Sequence, residues 1–96
     1  MSEILAAIVA VANLAGGGSI GTAPNTVDIA RCITVNQTTA AQTLTLPNPT
    51  DLQTGHIVEI INIGSTSFTM LGAVVAAGGA LRAIWNNTGT AWAKFS

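Results

Sequence analysis

The sequence predicts an all-β fold, a small antiparallel β-sandwich or jelly-roll-like barrel carrying an N-terminal apolar arm that is either a short helix or extended. Three observations predict it. Apolar residues alternate with period two over residues 27–35, 56–62 and 81–85. Gly, Pro and Asn signals separate these runs at short intervals. The composition is nearly uncharged, with 7% Asp, Glu, Lys and Arg against about a quarter in an ordinary soluble domain.

Ninety-six residues make one domain. With 49% of them hydrophobic, a polar shell must come from Thr, Ser, Asn, Gln and Gly, or copies and partners must cover part of the apolar surface. That balance predicts a homo-oligomer. A net charge of −1 without a basic cluster lacks the electrostatic footprint of nucleic-acid binding. The single cysteine, Cys32, allows neither an intrachain disulfide nor a multi-cysteine zinc site, and an inward-facing position is expected for it.

Residues 1–15 read as the arm. The apolar run 4–12 is shorter than the roughly 20 residues a bilayer-crossing helix needs, and it has no positively charged flank, so neither membrane insertion nor a signal peptide is expected. Ser2 can cap a helix with Glu3 in its first turn. Met1, Ile4, Ile8, Val11 and Ala15 then fit a heptad seam that favours bundles of three or four strands. The same residues suit an extended arm laid along another subunit. On either reading Ile4, Leu5, Ile8, Val9, Val11 and Leu14 are the candidate docking residues, for another copy or a larger assembly. Residues 16–25, with four glycines, read as a linker.

Residues 26–96 read as the β-domain. In its first strand Val27, Ile29, Arg31, Ile33 and Val35 share one side; Arg31 can cover apolar surface with its stem. Residues 43–46 make a second short strand, closed by Pro47 and Pro49, and 48–55 a turn or single helical turn. Residues 56–62 form a third, 68–71 a fourth that Gly72 interrupts or bulges, and 74–75 a short apolar piece. Residues 81–85 and 91–95 flank a hairpin turn at 87–90. Trp85 and Trp92 on either side of it are expected to meet as an aromatic plug, or else to form an exposed platform that stacks on a glycan.

Two segments, TLTLPNPTDLQTGHIVEIINIG at 43–64 and GGALRAIWNNTGTAWAKF at 78–95, resemble small β-domains of bacteriophage head-fibre, capsid-decoration and tail-fibre proteins. The likeness rests on Leu46 and Pro47, Gly55, the pattern Val58, Ile60, Asn62, and the two tryptophans. The resemblance implies a virion structural protein, commonly trimeric, attached to the major capsid or another virion protein through its N-terminal segment. Because the chain stops at Ser96 after the last strand, decoration of a shell is expected over a tail-fibre carbohydrate-binding or adaptor tip.

Chemistry finds little support. Cys32, His56 and Asp51 could in principle form a nucleophile, base and orienter, but no characteristic spacing links them. His56, Asp51 or Glu59 could meet a metal on a threefold axis, though no spacing requires it. No enzyme activity, cofactor, resident metal, nucleic acid or membrane partner is expected.

Overall fold

A computed structural model of the chain describes residues 7–50, 55–86 and 91–94. The expected all-β class stands: nine strands form two sheets around one core, and Ala23–Asn25, a 3-10 turn opened by a proline, is the helical element among the described residues. Strands β1 (Ala7–Val11), β3 (Ala30–Val35), β5 (Ile57–Asn62), β8 (Ala80–Asn86) and β9 (Ala91–Lys94) make a five-stranded sheet in that order. Strands β2 (Gly18–Ser19), β4 (Gln42–Thr45), β6 (Phe68–Met70) and β7 (Ala73–Val75) make the second.

Connectivity differs from the antiparallel expectation. The chain passes back and forth between the sheets, and β1–β3, β3–β5, β2–β4 and β4–β6 all pair in parallel. The first six strands therefore wind as three coils of a two-sheet solenoid. Val9 lies beside Ile33 and Ile33 beside Ile60, steps of 24 and 27 residues; Gly18 lies beside Leu44, a step of 26. Each coil buries its apolar ladder against the next, as stacked repeats do. The last three strands reverse direction: β7 returns on β6, β8 on β5 and β9 on β8, all antiparallel.

Inward positions of both sheets supply the core. Ile33, Val35, Val58, Ile60, Leu81, Ala83 and Trp85 come from the larger sheet, and Leu44, Phe68, Met70 and Val75 from the smaller. A large aliphatic or aromatic side chain buried this way stabilises the fold by roughly 1.5–3 kcal/mol.

Three local readings change. The alternation expected from Val27 begins only at Ala30: Val27 is buried in the turn before β3, while Ile29 is exposed. Between Ala30 and Cys32 the pairing with β1 slips, so that Arg31 is an inserted residue and Cys32 points outward, half-buried, rather than inward. A bulge of this kind shifts the side-chain phase of everything before it. Third, Leu71 and Gly72 form a two-residue hairpin turn between paired Met70 and Ala73, with φ of 53° and 75°, instead of a bulge. Positive φ at both central residues gives the twist that a tight hairpin needs.

Candidate functional site: the open first coil and the outer sheet face

Residues 7–15, read from the sequence as part of a separate arm, belong to the domain's own sheet and its corner. Ala7–Val11 is β1, so the described part of the arm is extended rather than helical. Ile4 and Leu5 lie outside the described residues. Of the remaining docking candidates, Ile8 projects outward with 68% of its surface exposed, whereas Val9, Val11 and Leu14 rest partly buried against the core. Part of the expected linker, Gly18–Ser19, pairs with β4 as β2.

Position in the stack explains these exposures. Val9 and Val11 occupy the same ladders as Ile33 and Val35, which are fully buried because a coil lies on either side of them. The first coil has a neighbour on one side only, and among the described residues no strand pairs with the outer edge of β1 or β2. A groove lined by Val9, Val11, Ile20, Thr22, Asn25 and Thr26, without a charged residue, opens at this end. The edge sequence AIVAV carries no charge, proline or interruption of the kind that discourages strand addition.

An amide ladder holds the first coil onto the second at the corner between the sheets. The Gln37 side chain, fully buried, accepts from Leu14 N–H and donates to the carbonyls of Leu14 and Thr39 at 3.1 and 2.9 Å. Asn13 Oδ1 accepts from the N–H groups of Thr38 and Thr39, and its Nδ2 donates to Thr39 Oγ1. One coil further, buried Asn62 accepts from Gly64 N–H and donates to the carbonyls of Thr66 and Val75. The sequence suggested no role for Asn13 or Gln37, and Asn62 entered only as part of the resemblance pattern. An amide recurring near the end of each alternating run (Asn13, Gln37 and Asn62) was the available signal.

At the opposite end the tryptophans meet. Trp85 and Trp92 are direct cross-strand partners with ring centres 5.5 Å apart in an edge-to-face arrangement. His56 meets Trp92 edge-on at 5.8 Å, and its Nε2 lies 2.8 Å from the Val27 carbonyl, to which the Nε2–H tautomer donates. Trp92 Nε1 donates to the Pro47 carbonyl at 2.8 Å, whereas Trp85 Nε1 is buried without an acceptor among the described residues. With 0% and 8% of their surfaces exposed, neither ring offers a free face for stacking on a sugar.

The remaining polar groups are scattered. Cys32 is in register with Glu59, three positions along β5 from His56, so no Cys–His contact forms; Asp51 lies outside the described residues. Glu59 is engaged by Arg82, whose Nε donates to Oε2 at 2.8 Å. Asp28 accepts from Thr50 N–H and Oγ1–H, and these bonds hold its carboxyl below the usual carboxylate range. Among the described residues no three His, Cys, Asp or Glu side chains gather to hold a metal ion, and no helix is long and apolar enough to cross a membrane.

Comparison with protein-family models, curated proteins and solved structures finds no match to the chain.

Proposed function

We propose that this chain is a non-enzymatic structural subunit of a virus particle, a capsid-decoration or head-fibre protein. It attaches through its first coil to the major capsid protein or another coat component. The observation that carries the reading is the open edge of β1: an uncharged, uninterrupted strand whose inward residues Val9 and Val11 stay partly exposed where their stacked counterparts are buried. A partner strand laid along that edge would satisfy its backbone groups and complete the ladder, the usual logic of strand addition. The virion setting is supported by the resemblance of residues 43–64 and 78–95 to phage structural β-domains.

Attachment would act by mass action. A subunit that binds the assembled shell in preference to free coat protein raises the shell's stability by linkage. The deciding experiment is protein mass spectrometry of density-purified particles from the source culture, with immunogold labelling by an antibody against the chain. Regular labelling of the particle surface and a fixed ratio to coat protein are expected. A chain absent from intact particles, and recovered only from the soluble fraction, removes this reading.

A further inference from the structure

We propose that the outward face of the five-stranded sheet joins two copies of the chain about a two-fold axis that runs along the strands between β5 and β8. This face is separate from the open edge of β1 and does not depend on the particle setting.

The central strand β5 and its neighbour β8 carry three rows of paired outward residues: Ile57 with Ile84, Glu59 with Arg82, and Ile61 with Ala80. Four of these six side chains are apolar, on a sheet face that an isolated domain would cover with polar groups. Ile57 is 39% exposed. Towards β1 the middle row continues through Cys32 to Ile8, the latter with two-thirds of its surface in solvent. The face therefore has the Glu59–Arg82 pair at its centre, with Arg31 beside Ile57 and Glu59 on the β3 side and mostly apolar residues in the rows around them.

That pair selects the occupant and the axis. Rotation about a line along the strands, midway between β5 and β8, lays each β5 over the partner's β8. Each Glu59 then faces a second Arg82, and the two pairs close into an alternating ring of four charges. Rotation about a line across the strands would instead set Glu59 on Glu59 and Arg82 on Arg82, which like-charge repulsion forbids. The charged row is the middle of the three, so the roughly 30° twist between packed sheets displaces it least. The isoleucine row meets itself in the same way, bringing Ile57 over Ile84. A threefold arrangement cannot lay one flat face on itself, because each copy then presents different surfaces to its two neighbours. The geometry thus points to pairs, where the resemblance implies trimers.

Four overlapping strands about 4.8 Å apart and rows spanning some 17 Å give a footprint of roughly 300 Å² per copy. That is well under half the usual roughly 800 Å² per partner, so the pair is a weak, reversible and concentration-dependent one. In it β3 lies over the partner's β9 and β1 overhangs, leaving the β1 edge available for attachment.

Sedimentation equilibrium of the full chain under reducing conditions tests the proposal. Wild type should pass from one to two chain masses as concentration rises to about 100 µM, the range in which a weak pair forms. Glu59→Arg and Arg82→Glu, each placing four like charges at the centre, should remain at one chain mass throughout. An equimolar mixture of the two should regain two chain masses, although neither variant can form the intrachain ion pair. An exposed pair of this kind contributes little to folding, and circular dichroism verifies that both variants fold. The labelling rate of Cys32 by a maleimide provides a reading on wild type alone, and should fall as the pair forms. Wild type that stays at one chain mass, a three-chain mass, single variants that pair like wild type, or a mixture that stays at one chain mass overturns the proposal.

Discussion

The side-chain amide of Gln37 pairs with both backbone groups of Leu14, accepting from its N–H and donating to its carbonyl, each at 3.1 Å. A side chain of the second coil thus takes the place of a backbone neighbour for the first. Gln37→Leu keeps the volume but leaves the Leu14 N–H, the Leu14 carbonyl and the Thr39 carbonyl without this partner. A loss of about 3 kcal/mol is expected in urea unfolding.

Gln37→Glu sharpens the same point through pH. Its carboxyl would be buried against two carbonyl oxygens, so burial and repulsion raise its folded pKa above the ordinary value near 4.3. Stability should then be retained at low pH, where the carboxyl is neutral, and should fall as pH rises above that ordinary value. A variant whose unfolding midpoint does not change between about pH 4 and pH 7 relative to wild type would contradict the buried amide pair.

Two glycines should respond differently to alanine. At Gly64 an added Cβ would lie 2.1 Å from the Gln37 carbonyl oxygen and 2.2 Å from its nitrogen, so the backbones of two coils must separate. At Gly72 nothing lies within 4 Å of the added Cβ, and the cost is the left-handed φ of 75° alone. Gly64→Ala is expected to lose more than about 3 kcal/mol or fail to fold, and Gly72→Ala to lose about 1–2 kcal/mol, read by thermal unfolding.

The tryptophan pair offers an internal comparison. Trp92→Phe removes the hydrogen bond to Pro47 as well as ring area, whereas Trp85→Phe removes an N–H that has no acceptor among the described residues. The first should cost about 2–3 kcal/mol and the second at least 1 kcal/mol less, as measured by denaturant midpoints at constant slope.

Asp28 sets an acid limit. Its carboxyl is held low first by the Thr50 hydroxyl, then by the Thr50 N–H, against a small opposing effect of burial and with a minor contribution from His56. A depressed folded pKa contributes stability above the unfolded value near 3.9 that is lost as pH falls below it. Asp28→Asn should therefore narrow its stability gap to wild type as the pH is lowered below about 4.

Much of the strand content was legible because β3, β5 and β8 bury one face and so alternate strictly from Ile33, Val58 and Leu81 onward. Their direction was not, since alternation is the same in parallel and antiparallel pairs. The connections between β1, β3 and β5 carry strands of the other sheet, where a helix would have signalled a parallel crossover. Gly18–Ser19 is too short to show a period, and its pairing depends on Gly17 approaching Thr43 closely enough that a Cβ would lie 2.8 Å from the carbonyl oxygen. The inserted Arg31 hid the true phase around Cys32. Of the candidate docking set, Ile8 was legible as apolar, but its separation from Val9 and Val11 required knowing which coil comes first.

The winding of β1 to β6 also gives the molecule a direction in which it can lengthen. Every parallel pair joins residues one coil apart, at steps of 23 to 27, and the reversal into β7, β8 and β9 seals the far end, while among the described residues nothing pairs beyond the first coil. Duplicating a stretch of that length ahead of β3 would add a layer while leaving the tryptophan end untouched. A chain built this way lengthens in whole increments, with each added layer carrying the Asn–Gln corner that secures the one before it.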